Sequence, residues 1–156
     1  DQPAPLAATW DELQEHVARC LHAGYQATGA WSLAQVCRHL TDWLTYPIDG
    51  FPPQPWFVRG LMWLLRHTVA PGQLSVILQS GKMPAGQPTI PETIHRPEDD
   101  ESAAVEAFVA AVERFRRHPG PWQPSPLFGM LDREALESLQ LIHCRHPLAF
   151  LKPREE

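Results

Sequence analysis

The histidines are the residues of this sequence best suited to chemistry. There are eight of them, and His143 and His146 stand three residues apart in a stretch whose apolar residues recur at helical spacing. On a helical wheel both lie in the arc of Leu136, Leu139 and Phe150, so we expect their imidazoles to point into the core. Histidines three or four residues apart share one side of a helix and can bind one metal ion, with a third ligand from another helix.

His39 is the candidate for that third ligand. It stands at the edge of an apolar helical stripe, beside Val36 and Trp43, where it faces either a pocket or solvent. Three protein histidines and a water form a known open metal site. The alternative is a set of hydrogen-bonded core histidines, because burying a neutral imidazole costs little once both nitrogens have partners. The other histidines need no special explanation; they are His16, His22, His67, His95 and His118.

Cysteine and carboxylate side chains near these histidines offer alternative chemistry. Cys37 and Cys144 suggest a mixed metal site or a cysteine nucleophile, but successive helical residues point about 100° apart, so neither shares a direction with its neighbouring histidine. We interpret them as buried structural thiols. Asp42 follows His39 by three residues and could orient its ring, or could simply be solvated. The sequence contains no nucleophile elbow, phosphate-binding glycine loop, HExxH pair or dinucleotide fingerprint.

Two capping boxes mark the starts of the first two predicted helices. Thr9 and Glu12 open the first, and Ser32 and Gln35 open the second. We expect the second helix to end just before Pro47, because proline lacks the amide donor that a continuing helix needs.

A long connection follows the second helix. It begins with an apolar helix over residues 56–67, which Arg59 and Gly60 interrupt. Residues 70–100 contain many glycines and prolines, and we expect them to be irregular apart from a short strand at Ser75 to Leu78. Connections of this length often carry function, so we expect this one to form a wall of the site.

Two further helices complete the predicted fold. The third starts near Ser102 and ends at His118, and the fourth has Asp132 as its N-cap and should end before Pro147. The prediction is one all-α domain over residues 1–156, a four-helix bundle with a long insertion between its second and third helices. In such bundles, metal and cofactor sites are built from side chains of facing helices.

Three segments resemble the DinB-like superfamily of metal-binding four-helix bundles. Residues 31–40, WSLAQVCRHL, resemble its second-helix motif. Residues 126–129, PLFG, and His143 with Phe150 and Leu151 resemble an uncharacterised branch of that superfamily. The resemblance covers most of the chain and implies the bundle fold.

The resemblance also implies a metal site. Family members hold a nickel or zinc ion with one histidine from helix two and two histidines, four residues apart, from the last helix. His39 and His143 match this pattern, but the position four after His143 is Pro147, which has no ligand atom. His146 could substitute, although a residue before proline is pushed away from helical geometry. The implied ligands are therefore His39, His143 and His146, in a site that is altered or has lost its metal.

The activity that the resemblance implies is metal-dependent hydrolysis or thiol transfer, with a small molecule or a thiol as the substrate. A bound divalent ion would make a water or thiol nucleophilic near neutral pH. The alternative function is a non-catalytic bundle that serves as a binding or oligomerisation module, for example a homodimer. In that case the apolar stretch Trp56 to Leu65 would be the partner surface, and Pro147 favours this alternative.

Composition excludes some other classes. A net charge of −5 opposes nucleic-acid binding, which depends on basic residues. No apolar stretch reaches the roughly 18 residues of a membrane span, although Trp and Leu beside Arg59 could also lie in a membrane interface. Three cysteines cannot all pair, so we expect a reducing, cytoplasmic location. The sequence begins at Asp1 and not at a methionine, which is compatible with the removal of a leader peptide.

Overall fold

The computed structural model describes residues 2–84 and 89–155. Residues 85–88, part of the predicted irregular connection, lie outside the described residues. The elements in chain order are α1 (Trp10–Ala23), β1 (Tyr25–Ala27), α2 (Leu33–Asp49), α3 (Trp56–His67), α4 (Ala70–Ser80), a 3-10 turn (Pro91–Thr93), α5 (Ser102–Arg117), α6 (Arg133–Leu148) and β2 (Leu151–Pro153). The predicted all-α fold class is confirmed.

The hydrophobic core lies between the four helices that the sequence predicted as the bundle. α1, α2, α5 and α6 all contribute fully buried side chains, among which Phe108, Leu13, Leu40 and Leu148 are some of the largest. α3 buries no residue completely, and α4 buries only Ala70 and Ile77. α3 and α4 therefore form an insertion beside the core helices.

Hydrogen bonds from outside the helix complete the start of α2. The predicted capping box is present, with the Gln35 amide donating to Ser32 Oγ and the Ser32 amide donating to Gln35 Oε1. The Leu33 amide donates to the Tyr25 hydroxyl at 2.9 Å, and the Ala34 amide donates to Glu101 Oε2 at 2.7 Å. These acceptors satisfy the amides that a helix start leaves free, so the helix that carries His39 has a fixed origin.

The predicted end of helix two at Pro47 is wrong, because α2 continues to Asp49. Proline cannot donate to the carbonyl four residues earlier, which is that of Trp43. In this fold Gln140 of α6, which is only 5% exposed, donates to that carbonyl instead, at 2.9 Å. The prediction that helix four ends before Pro147 is also wrong, since α6 runs one residue past it to Leu148.

The predicted strand at Ser75 to Leu78 is wrong as well, because these residues lie within α4. Pro71 sits in the first turn, where no amide donor is required. Gly81 ends the helix in the left-handed conformation, with a φ of 67°, and its amide donates to the Ile77 carbonyl. α4 packs against α6, and this tertiary contact outweighs the strand preference of the Val-Ile pair.

A short antiparallel strand pair was not predicted. β1 pairs with β2, with Tyr25 opposite Pro153 and Ala27 opposite Leu151. The pairing continues beyond the strands, since the Arg154 amide donates to the Gly24 carbonyl and the Thr28 amide to the Phe150 carbonyl. These bonds fasten the chain after α6 to the turn after α1. A three-residue strand is too short to show the alternation of apolar and polar residues from which strands are predicted.

Candidate functional site

His39 of α2 and His143 of α6 meet at the edge of the core. Their Nε2 atoms are 3.4 Å apart, and their rings meet edge to face. His39 is only 4% exposed, and His143 is partly buried. The fold thus brings together two of the three histidines that the sequence singled out.

Thr93 fixes the tautomer of His39. His39 Nδ1 lies 3.2 Å from the Thr93 carbonyl oxygen and 3.1 Å from Thr93 Oγ1. Because that hydroxyl donates to the Ile90 carbonyl at 2.7 Å, both neighbours of Nδ1 are acceptors. We therefore assign the hydrogen to Nδ1, so the lone pair of Nε2 faces His143. A metal-binding histidine is commonly oriented in this way, by an N–H bond to a carbonyl.

Both rings are neutral at physiological pH. Burial lowers the pKa of His39 from 6.5 to about 4. Burial also lowers the pKa of His143, to about 3, with repulsion from His39 and His146 adding to the effect. Neutral imidazole is the form that binds metals, so neither ring would have to lose a proton at pH 7 to become a ligand.

Aromatic side chains surround the histidine pair. Trp31 stands edge-on to His39 with ring centroids 5.0 Å apart, and Trp43 stands edge-on to His143 at 5.5 Å. Phe51 packs in turn on Trp43. The indole Nε1 of Trp43 is buried and has no hydrogen-bond partner within residues 2–84 and 89–155. A buried donor of this kind is costly unless it meets an acceptor, so it identifies a polar position in an otherwise apolar wall.

His146 lies one turn after His143 on α6. It is partly buried, and its ring stands edge-on to Phe150 with centroids 5.7 Å apart. In the part of the chain that the structure describes, no three His, Cys, Asp or Glu side chains are grouped so that they could hold a metal ion. The structure thus pairs His39 with His143, whereas His146 lies one turn further along α6 with its ring against Phe150.

A sequence comparison assigns the chain to a family. The family described as Protein of unknown function (DUF1569) matches residues 7–154. The chain belongs to the DUF1569 family. No curated protein and no solved structure matches it.

Asp42 of this DUF1569 protein does not orient His39, contrary to one of the two sequence-based alternatives. Its Oδ2 lies 2.6 Å from Nε2 of His95. Thr93 takes the orienting role instead, and both Thr93 and His95 belong to the connection that sequence patterns could not resolve. No periodicity distinguishes these two residues, so only the folded structure shows that the connection forms a wall of the site.

The three cysteines of the DUF1569 protein are free and buried, as the sequence predicted for Cys37 and Cys144. Burial raises the pKa of Cys20 to about 11, and it raises the pKa values of Cys37 and Cys144 still further. A thiol must ionise to attack a substrate or bind a metal, so burial opposes both roles. The chemistry of the site therefore rests on the histidines and their aromatic surroundings.

Proposed function

We propose that this protein binds a divalent metal ion, preferentially zinc, through His39 and His143, and that the ion supports DinB-like hydrolysis or thiol transfer. The observation that carries the proposal is the 3.4 Å separation between the two Nε2 atoms. Two imidazoles that are each about 2.0–2.1 Å from a tetrahedral zinc have nitrogens about 3.3–3.4 Å apart. The pair therefore has the spacing of two zinc ligands, which is also the spacing of a hydrogen bond between the two rings.

The chemistry of the donors also fits the proposal. Both rings are neutral, and Thr93 holds the hydrogen of His39 on the nitrogen that faces away from His143. Residues 31–40 resemble the DinB-like second-helix motif, whose histidine corresponds to His39, and a separate resemblance near the end of the chain includes His143. That the fold places these two residues in contact supports a DinB-like site.

His146 is the proposed third ligand. It is the next histidine on α6, and its ring, which stands against Phe150, would have to turn towards His143 to bind the same ion. Two protein ligands alone would bind an ion weakly, and a third would leave one position for water or a thiol substrate. A bound ion would lower the pKa of that water or thiol and so supply a nucleophile at neutral pH.

The surrounding side chains would then orient a substrate. Trp43 Nε1–H, which has no acceptor among the described residues, could donate to an oxygen or sulfur atom of a small molecule. The rings of Trp31 and Trp43 would exclude bulk water, which strengthens polar interactions inside the site.

Metal titration of protein purified without a polyhistidine tag tests the proposal. Wild type should bind about one equivalent of zinc, measured by calorimetry and elemental analysis. His39→Asn keeps a donor near Thr93 but removes Nε2, and both His39→Asn and His143→Gln should lower the affinity at least about tenfold. His67→Gln, an exposed histidine on α3, is the matched control and should bind as wild type does. Binding below about a tenth of an equivalent, or equal binding by all four proteins, would reject the site.

A second candidate function is a non-catalytic binding module. The specific observation in its favour is the run of exposed aromatic and aliphatic side chains on α3. Exposed apolar patches commonly mark interaction surfaces. If the wild-type protein binds no zinc in the titration, we favour this second function over the first.

A further inference from the structure

The outward side of α3 is apolar. Trp56 is 82% exposed, and four more side chains of the helix are each more than half exposed: Phe57, Leu61, Trp63 and Leu64. These five residues form the α3 face. The half-buried side chains of the helix lie on its other side, so α3 presents its aromatic residues outward.

The α3 face is large for an exposed surface. Tryptophan and phenylalanine side chains present roughly 150–250 Å² each, so the five residues together expose on the order of 500 Å² of apolar area. That is comparable to the largest apolar patch of a typical monomer, and such patches are often functional. Val69, just before α4, and Val76, within α4, are also exposed.

The segment around the α3 face is cationic, whereas the rest of the chain is acidic. Residues 50–91 contain Arg59, Arg66 and Lys82 but no aspartate or glutamate. Since the whole chain has a net charge of −5 and this segment contributes +3, the remainder carries −8. None of the three cations forms an ion pair with another described residue. Arg59 and Lys82 are exposed, so their charge is available to an external partner, whereas Arg66 is half-buried beside Gly129.

We propose that the α3 face binds the surface of an anionic lipid bilayer. A helix with Trp, Phe and Leu on one side and arginines beside them lies in the interface, where the rings reach the headgroup level and the cations meet lipid phosphates. No helix in the described residues is both long enough and apolar enough to cross a bilayer, so α3 would lie on the surface.

The charge distribution favours this partner over a second copy of the chain. In a two-fold dimer the same patch faces itself, so contact through α3 would bring two segments of charge +3 together. Residues 50–91 contain no aspartate or glutamate that could neutralise these positive charges. An anionic bilayer instead attracts these cations while it buries the aromatic rings.

Cosedimentation with lipid vesicles tests the proposal. The full chain should bind vesicles that contain phosphatidylserine at least about tenfold more strongly than pure phosphatidylcholine vesicles, and high salt should weaken the binding. Arg59→Gln should reduce only the preference for the anionic vesicles. Failure to bind phosphatidylserine vesicles, or equal binding to both kinds, would overturn the proposal.

A matched pair of variants locates the contact. Leu61→Asp should reduce vesicle binding at least about tenfold, because it places an acidic group on the α3 face. Ile94→Asp makes the same change outside α3 at a residue of similar exposure, 53% against 56%, and should bind nearly as wild type does. Circular dichroism checks that both variants fold. If Leu61→Asp leaves vesicle binding intact, the α3 face is not a lipid-binding surface. The same conclusion follows if the wild-type protein is a dimer that binds no vesicles and Leu61→Asp dissociates that dimer.

Discussion

Gln140 of α6 donates a hydrogen bond to the carbonyl oxygen of Trp43 in α2, at 2.9 Å. Within a regular helix that carbonyl would accept from residue 47, but residue 47 is proline. A side chain from the opposite helix thus replaces the missing backbone donor. The bond joins the two helices that carry His143 and His39, and it lies at Trp43, whose ring contacts both histidines.

This relationship predicts an energetic coupling between Gln140 and Pro47. Gln140→Leu should lower the free energy of unfolding by about 1–3 kcal/mol, because it leaves a partly buried carbonyl without a donor. In a Pro47→Ala background the helix regains its own amide, so the same substitution should cost less than half as much. Urea unfolding of the four proteins measures this cycle. An equal cost in both backgrounds would show that the bond does not compensate for the proline.

Stability should fall in mildly acidic solution. Burial holds the pKa of His39 at about 4 and that of His143 at about 3, whereas an unfolded chain has histidines near 6.5. Below pH 6.5 the unfolded state therefore binds protons that the folded state does not, and folding becomes less favourable as the pH falls towards 4. Urea unfolding of EDTA-treated protein over this range should show the loss. His143→Gln should make the profile shallower, and an unchanged slope would contradict this assignment.

His146 can be tested separately from the other two histidines. If it is the third ligand, His146→Gln should lower zinc affinity at least about tenfold. The free energy of unfolding of the metal-free variant should lie within about 0.5 kcal/mol of that of the metal-free wild type. The His146 side chain is only partly buried and has no hydrogen bond in the described structure. Calorimetric titration and urea unfolding provide the two measurements. An unaltered zinc affinity would remove His146 from the site.

The thiols should be unreactive in the folded protein. Burial raises the pKa of Cys20 to about 11, and the pKa values of Cys37 and Cys144 are raised further. We expect a disulfide reagent to label none of them in mildly alkaline buffer and all three after denaturation. Rapid labelling of native protein would show that one of these thiols is accessible and ionised.

The starts of α1, α2 and α6 were predictable because their signals are local. Thr9, Ser32 and Asp132 each cap the helix that follows, and the acceptor lies three residues from its donor in every case. The ends at Pro47 and Pro147 were not predictable by the same reasoning. A proline removes a helical hydrogen bond, but its effect depends on what the rest of the fold supplies, and at Pro47 a distant glutamine supplies the donor.

The candidate site was predictable only in part for a similar reason. The helical wheel selected His143 and His146, and the DinB-like resemblance selected His39 together with them, because each signal is local to one helix. Thr93 could not be found in this way, since it reaches His39 from a segment without periodicity and acts through its backbone carbonyl as well as its hydroxyl. Asp42 follows His39 at a spacing suitable for contact with its ring, but the Asp42 carboxylate forms a hydrogen bond with His95 instead.

The pairing of β1 with β2 bears on the order in which the molecule folds. Each helix forms from near neighbours, but Tyr25 and Pro153 come from opposite ends of the described chain. Closing so long a loop costs entropy before the new contacts repay it, so such pairings tend to form late and to slow folding. We therefore expect α6 to acquire its final orientation, and His143 its partner, in one of the last steps of assembly.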